Sequence, residues 1–364
     1  MAAPEDARRA NRTLLLAALR REGAASRAEL SKRCGLTRAT VSAVVRELLD
    51  DELVVELGRG PSGGVGKPGT LLGAAPDGRH VICLDLSEHD RFVGALVNLD
   101  GDILVRRACW RDDKTGRDAV ALACGLATDL ASEARRPILG VGVASPGIVD
   151  GDGVVVLAAH LGWDHLALGA ELAEHLRLPV AVVNDADASA LAELSFGDGA
   201  VTDLVCVRVD QGVGAGLVLD GRLHRGSRHA SGEVGHVIVD PDGDRCACGK
   251  RGCLETEVSA PLLRQRLGAA IDQAHTDAVL ANAGHHLGIV LATVLGALDI
   301  AEVVMSGTEV VITPTFRAAL TDTIAHRTTR NVAERLVVRA GSFGADDALI
   351  GAAARVLDTQ LGVA

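Results

Sequence analysis

One imidazole and three thiols fall within 18 residues of this chain: His236 in Gly232-Glu233-Val234-Gly235-His236, and Cys246, Cys248 and Cys253 in Cys246-Ala247-Cys248-Gly249-Lys250-Arg251-Gly252-Cys253. One nitrogen and three sulfurs are the donor set of a closed tetrahedral zinc site. Gly249 and Gly252 let the backbone curl so that the thiolates can converge on one ion. Without a metal the same residues would be mutually repelling thiolates or an oxidation liability, so Zn2+ is the expected cofactor. The other cysteines, Cys34, Cys83, Cys109, Cys124 and Cys206, are scattered. That dispersal suits buried thiols in a reducing compartment.

A chain of 364 residues has room for two or three domains, and its 48% hydrophobic and 23% charged residues describe a globular protein. Aromatic residues make up only 2%, so the core must be built from Ala, Val, Leu and Ile. No uninterrupted apolar run reaches membrane-spanning length, and Met1-Ala-Ala-Pro-Glu-Asp does not read as a signal peptide. The expected location is the cytoplasm, with no membrane partner. The net charge of −11 is unevenly spread: residues 1–72 hold 12 Lys/Arg against 9 Asp/Glu, a mildly basic head on an acidic body. Such a split is compatible with nucleic-acid contact through the head alone.

The head reads as a winged helix-turn-helix over residues 1–72. Residues 11–22 carry Leu14, Leu15, Ala18 and Leu19 on one helical face, and Gly23 ends the pattern. Ser26-Arg27-Ala28-Glu29 is a capping box for a second helix, which Gly35 stops. Thr37 then caps a third helix with Val41, Val44, Val45 and Leu48 as its buried stripe. Arg38, Ala39, Thr40, Ser42 and Arg46 fall on its other faces, small or basic residues suited to base edges and phosphates. A strand at 53–57, a glycine-rich loop at 58–69 and a return strand at 71–72 form the wing. Arg59 and Lys67 stand on it as phosphate or minor-groove contacts. One recognition helix per chain implies a homo-oligomer, dimer or tetramer, on operator DNA.

From residue 80 onward the pattern is α/β. Buried strands at 80–85, 92–98, 103–106, 138–144 and 180–183 alternate with a helix at 119–134, and a second set begins at 204–209 and 214–219. Gly-Glu-x-Gly-His followed by Cys-x-Cys-Gly-x-x-Gly-Cys-Leu-Glu resembles the signature of the ROK family, which joins sugar kinases to sugar-responsive repressors. The head is similar to that of the repressor branch in Ser-Arg-Ala-Glu-Leu, Gly-Leu-Thr-Arg-Ala-Thr-Val-Ser and Gly-Lys-Pro. Lys67 stands where the family usually has Arg, which keeps the charge and loses the bidentate fork.

The resemblance implies a two-lobed, actin-like, sugar-kinase-like body: a first lobe over 73–183, a second lobe with the metal site over 184–344, and a C-terminal helix over 345–364 that returns to the first lobe. It also implies a sugar or sugar derivative as effector. The hydroxyl-binding set carried over by motif position is Asn184, Asp185, Glu233, His236 and Glu255; Trp163 matches a position near it and reads equally as a plain core residue. Carboxylates that accept two hydroxyls at once suit that task. The kinase branch would have Asp-x-Gly-Gly-Thr after the first strand. Here Asp85 is followed by Leu86-Ser87-Glu88-His89-Asp90, which removes both glycines and adds two acids where phosphates would sit. The second loop keeps Gly212, Gly214 and Gly216, expected only as a tight strand connection. The segment 303–309 has a single glycine. The expected function is a DNA-binding transcriptional regulator, most simply a repressor, and not an enzyme. An ATP-dependent sugar kinase with a regulatory head is the alternative.

Overall fold

The computed structural model of the chain describes residues 4–59, 69–197, 202–309 and 313–363. It opens with helix α1 (Pro4–Glu22), a two-residue strand β1 (Ala25–Ser26), α2 (Arg27–Cys34) and α3 (Arg38–Asp50). Strands β2 (Val54–Arg59) and β3 (Thr70–Ala74) follow. The capping box forms as expected: Ser26 Oγ accepts from the Glu29 N–H, and the Glu29 carboxylate accepts from the Ser26 N–H. Gly35 ends α2 at φ 65. Thr37 Oγ1 accepts the Thr40 N–H and starts α3. Val41, Val44, Val45 and Leu48 are buried against Leu15, Leu19 and Leu30. Two features go beyond the sequence pattern. Helix α1 begins at Pro4, two turns before Asn11, and Arg8 and Arg12 of α1 both pair with Glu47 of α3. Strand β1 pairs with β3, so the wing is a three-stranded sheet, β1-β3-β2. Two residues are too short for a periodic signal.

The body repeats one topology twice. Strands β4 (His80–Asp85), β5 (Arg91–Val97) and β6 (Ile103–Trp110) form an antiparallel meander, followed by α4 (Gly116–Glu133) and β7 (Ile138–Ser145). A small sheet of β8 (Ile148–Val149), β9 (Val155–Ala158) and β10 (Trp163–Leu166) leads to α5 (Leu168–Leu176), β11 (Val180–Asn184) and α6 (Asp185–Phe196). The first five-stranded sheet has order β11-β7-β4-β5-β6, with β7 and β11 joined in parallel. The second half starts with β12 (Leu204–Val209), β13 (Val213–Leu219) and β14 (Arg222–Leu223). It continues through α7 (Glu255–Val258), α8 (Ala260–Gly268), α9 (Gln273–Leu298), β15 (Glu302–Gly307), α10 (Pro314–Arg327), α11 (Arg330–Arg335), β16 (Val337–Ala340) and α12 (Asp347–Leu361). Its sheet order, β14-β13-β12-β15-β16, is the same arrangement. Parallel pairs need helical crossovers, and the helices of each half cover its sheet.

Two helices are exchanged between the halves. Helix α6 leaves the first sheet and packs on β12 and β13 of the second; α12 leaves the second sheet and packs on β4 and β7 of the first. The two helices also pack on each other. Glycines make this close approach possible. A β-carbon on Gly351 would lie 1.7 Å from Ala188 O, one on Gly142 2.2 Å from Ala352 O, and one on Gly216 2.5 Å from Ala186 O. Gly214 and Gly216 therefore serve the seating of α6 on β13 rather than only a strand connection.

Among the described residues one helix, α9, is long and apolar enough to cross a membrane, with mean hydropathy 1.6 over its most apolar stretch. Half of that stretch is buried in the second lobe, where α9 packs along α10.

The exchanged pair yields a stability prediction. Gly351→Ala places a methyl group onto the Ala188 carbonyl and is expected to cost about 1–3 kcal/mol or more, as overpacking does. Chemical denaturation measures it. A midpoint indistinguishable from the parent's would show that the two helices do not hold this contact.

Candidate functional site

The head presents its proposed contact residues to solvent. Arg38, Ala39, Ser42 and Arg46 are exposed on α3, and Thr40 is half-buried with its hydroxyl 2.9 Å from that of Thr37. Arg59 is exposed at the end of β2. Lys67 lies outside the described residues.

Between the lobes four aspartates surround one arginine. Asp85 ends β4 and Asp210 follows β12; Asp185 opens α6 and Asp347 opens α12. Because the halves repeat, these are two pairs at equivalent places in the topology. Arg208, the fifth residue of β12 and only 4% exposed, fills the space they enclose. Its Nη1 donates to Asp347 Oδ1 at 2.5 Å, and its Nη2 donates to Ser87 Oγ at 3.2 Å. Nη2 also lies 3.5 Å from Asp85 Oδ2 and 3.5 Å from Asp210 Oδ2. Nε stands 3.6 Å from Asp185 Oδ2 and makes no hydrogen bond, although it is buried. Burial alone would lower the Arg208 pKa. The carboxylates, Asp347 foremost and then Asp85, Asp185 and Asp210, raise it instead.

Asp185 and Asp210 are the partners that keep some exposure, each side chain 21% exposed, whereas Asp85 and Asp347 are closed off. Burial pushes the Asp185 carboxyl up to about 7 against the pull of Arg208, with Asp85 adding to the rise. Every hydrogen-bonding group of Asn184 is engaged. Its Oδ1 caps α6 by accepting from the Ala186 and Asp187 N–H groups, and its Nδ2 donates to Gly147 O and Asp185 Oδ1. Asn184 thus orients Asp185. Asp187, buried in the first turn of α6, is likewise raised to about 7 by burial, with Arg225 opposing and Asp185 and Glu233 adding.

The remaining expected site residues continue this carboxylate line. Glu233 is raised by burial, lowered by His236 and raised by Glu255. His236 Nε2 lies 3.7 Å from Glu233 Oε2, and Glu255 Oε1 lies 3.7 Å from Cys246 Sγ. Trp163 is not part of the cleft. It is 2% exposed in the first-lobe core, and its Nε1 donates to Gly116 O.

The segment after β4 differs from the expectation of bare negative charge. Glu88 is paired with Arg91 at 2.5 Å. What closes the segment is Ser87, whose N–H and hydroxyl both donate to Asp85 Oδ1 while Arg208 Nη2 donates to its Oγ. The Ser87 backbone N–H is thereby spent within the loop. A depression of about 400 Å³ at the end of β15 is lined by Gly307, Glu309, Thr313, Gly344 and Ala345, with no cation among these described residues.

His236, Cys246, Cys248 and Cys253 come together, their donor atoms all within 4.8 Å of one another. Cys246 Sγ lies 3.6 Å from His236 Nδ1, and Cys248 Sγ lies 3.6 Å from Cys253 Sγ. Two thiolates on a tetrahedral zinc at 2.3 Å stand about 3.8 Å apart, so the spacing fits that ion. Gly249 and Gly252 take φ 91 and 65, and a β-carbon on Gly252 would lie 1.4 Å from Asp240 O. The curl expected of these glycines is present. Burial pushes the Cys246 thiol up to about 12, so only a cation at the centre makes the thiolate form favourable.

Sequence reasoning missed Arg208, Asp210, Asp347 and Asp187. A lone arginine in the apolar strand Leu-Val-Cys-Val-Arg-Val was the one signal available. The geometry makes a titration prediction. The Asp185 carboxyl takes up its proton near pH 7, and Arg208→Met moves that midpoint higher, because the guanidinium is the chief influence holding it down. Infrared difference spectra against Asp185→Asn would assign the band. A midpoint below about 5, in the ordinary carboxylate range, would contradict the arrangement.

Comparison with known proteins agrees with both parts of the chain. The profile described as "ROK family" matches residues 81–359, and one described as "Winged helix-turn-helix DNA-binding" matches residues 8–55. The chain is 26% identical to a xylose repressor of Bacillus subtilis (strain 168) over 369 residues, covering 96% of each. It is 34% identical to a xylose repressor of Caldicellulosiruptor bescii over 276 residues, covering 73% of this chain and 68% of that one. A crystal structure of a ROK family transcriptional regulator, described as a homolog of the E. coli MLC protein, superposes with TM-score 0.82 at 25% identity and covers 98% of both chains. A ROK family glucokinase from Streptomyces griseus, solved with glucose and AMPPNP, superposes with TM-score 0.66 at 25% identity over 75% of this chain and 98% of its own. The kinase lines up with three quarters of the chain; the regulator lines up with nearly all of it, and this chain belongs to the ROK family as a DNA-binding transcriptional regulator.

Proposed function

We propose that this regulator is a repressor that binds operator DNA through its winged head and releases or engages it in response to a sugar. The observation that carries the reading is the union of an exposed recognition face on α3 with a cleft whose loop after β4 is closed by Ser87 and Arg208. Such a cleft keeps carboxylates for hydroxyls, and among the described residues the loop after β4 has its Ser87 N–H already engaged. The relatives named as xylose repressors support a sugar as effector.

In this reading Asp185 accepts hydrogen bonds from sugar hydroxyls, held in place by Asn184, and Glu233, His236 and Glu255 line the other side of the sugar. His236 Nδ1 joins Cys246, Cys248 and Cys253 around Zn2+, and its Nε2 side faces Glu233. The ion supplies rigidity: it fixes the turn that carries Glu233 and the helix start that carries Glu255. Arg38, Ala39, Thr40, Ser42 and Arg46 contact the major groove, with Arg59 and Lys67 on the wing. The protein works in the cytoplasm as a homo-oligomer, dimer or tetramer, that pairs two half-sites.

Two predictions follow from these assignments. Freshly purified protein holds about one zinc per chain, and Cys248→Ser loses it and destabilises the second lobe, since metal-binding energy is folding energy. Metal analysis that finds no zinc in unchelated protein would remove the ion.

The second concerns DNA upstream of the protein's own gene and its neighbours, with D-xylose and other sugars titrated in. Arg38→Ala costs about 1–3 kcal/mol and relaxes sequence choice, whereas Arg59→Ala weakens all sequences alike and flattens the salt dependence by about one unit. Asp185→Asn weakens the sugar response. In the parent that response fades as pH falls through about 7, because Asp185 then carries a proton. An unchanged response in Asp185→Asn, or sugar phosphorylation by the parent, would overturn the reading.

A further inference from the structure

Both helices that begin at Arg208 end at the DNA-binding head. Asp185 and Asp347 are the first residues of α6 and α12, and Arg208 reaches both, by an unbonded 3.6 Å approach and a 2.5 Å hydrogen bond respectively. Ser306 of β15 donates to the second oxygen of Asp347. At the far end of α6, the ring of Phe196 lies under the Arg20 guanidinium of α1, 5.9 Å from its centroid. At the far end of α12, Thr13 Oγ1 of α1 donates to Leu361 O at 2.8 Å, and Arg9 Nη2 donates to Thr359 O at 3.1 Å. Gly362 closes α12 at φ 70, and a β-carbon there would lie 2.7 Å from Thr13 Oγ1. The hydrophobic contacts are continuous as well. Leu15, Leu19 and Val45 of the head belong to one buried cluster with Leu349, Ala353, Leu357 and Val363.

We propose that Arg208 is the positioning residue that couples the cleft to the head, by holding the starts of α6 and α12 whose opposite ends carry α1. Helices of 12 and 15 residues span about 18 and 22 Å, the reach from cleft to head. A helix transmits displacement along its axis with little loss. The two grips differ, and that difference is what makes the device work. Asp347 is hydrogen-bonded to Arg208 and closed off from solvent. Asp185 is unbonded to it and keeps some exposure. A hydroxyl ligand on Asp185 competes with Arg208 Nε for the same carboxylate, so it alters the hold on α6 and leaves the hold on α12. Any shift of one helix against the other acts at Arg20 on one side and at Thr13 and Arg9 on the other, and so turns α1 and α3 packed on it.

This coupling rests on the sugar-sensor reading, and the test separates the two with the full chain. In the first arm, Asp347→Asn is compared with the parent by amide hydrogen exchange, with no sugar and no DNA. Exchange is expected to quicken in residues 8–20 and 357–363. The control Glu257→Gln, a buried carboxylate paired with Arg266 away from both helices, is expected to leave those segments unchanged. Should Asp347→Asn fail to fold, Arg208→Lys, which keeps the charge and loses the fork, takes its place.

In the second arm, Thr13→Val with Arg9→Ala is titrated with D-xylose and with operator DNA. Sugar affinity and sugar-free operator affinity stay within about twofold of the parent, and the factor by which D-xylose changes operator affinity drops at least about fivefold. A fold-change equal to the parent's overturns the proposal, as does unchanged exchange in both segments. If D-xylose and the other sugars change operator affinity in no form of the protein, the sensor reading fails, and the exchange arm by itself decides whether Arg208 governs the head.

Discussion

Arg208 and the four carboxylates around it are the contact on which the rest of the body depends. A buried guanidinium is tolerated when opposite charges surround it, and here four carboxylates do while its Nη groups are hydrogen-bonded. Here each partner comes from a different place in the chain: the end of β4, the loop after β12, the start of α6 and the start of α12. One side chain therefore ties both sheets and both exchanged helices. Removing the guanidinium would leave several carboxylates buried without a counter-charge, and breaking buried pairs in this way costs about 3–5 kcal/mol. Burial, with the nearby Asp85 carboxylate adding to it and Arg208 opposing, is why Asp185 holds its proton up to about 7.

The internal repeat explains why the site exists at all. Two halves of one topology place an aspartate at the end of each first strand and at the start of each exchanged helix. Helix starts favour a carboxylate, since their free N–H groups point outward. Where the two halves face each other, four such acids meet. In this chain an arginine on one half fills the centre and breaks the symmetry between the halves. The glycines at 142, 216 and 351 let the helices come near enough for this to happen, because any larger residue would strike a backbone oxygen. The head is joined to the same assembly through α12 rather than hung on a linker, with Val363 buried in the shared core.

Much of this was legible in the sequence where the cause is local. Ser26 with Glu29, Gly35 and Thr37 set helix ends through bonds spanning a few residues, and the structure has them where the pattern puts them. The stripe Val41, Val44, Val45 and Leu48 depends only on helical period. The thiol cluster was legible because three of its four members sit within eight residues, with glycines at the turns that need positive φ. Less was legible where the cause is distant. The two-residue strand β1 is defined by its partner β3, 45 or more positions away. Trp163 read equally as a site residue or as core by its motif position, and its surroundings make it core. Asn184 looked like a direct ligand, and its donors and acceptors are all engaged in capping and in holding Asp185.

The sequence by itself determined the winged head, the α/β body, the convergence of His236 with three cysteines, and the loss of the phosphate-binding glycines after the first strand. Each rests on spacing along the chain, which the backbone's fixed geometry converts directly into position. Only the tertiary structure decided that Arg208 lies among Asp85, Asp185, Asp210 and Asp347, residues separated by as many as 262 positions. Their meeting comes from the pairing of two sheets and the exchange of two helices. Electrostatic balance in a buried site is a property of all the groups that surround it, and no window of sequence contains them together.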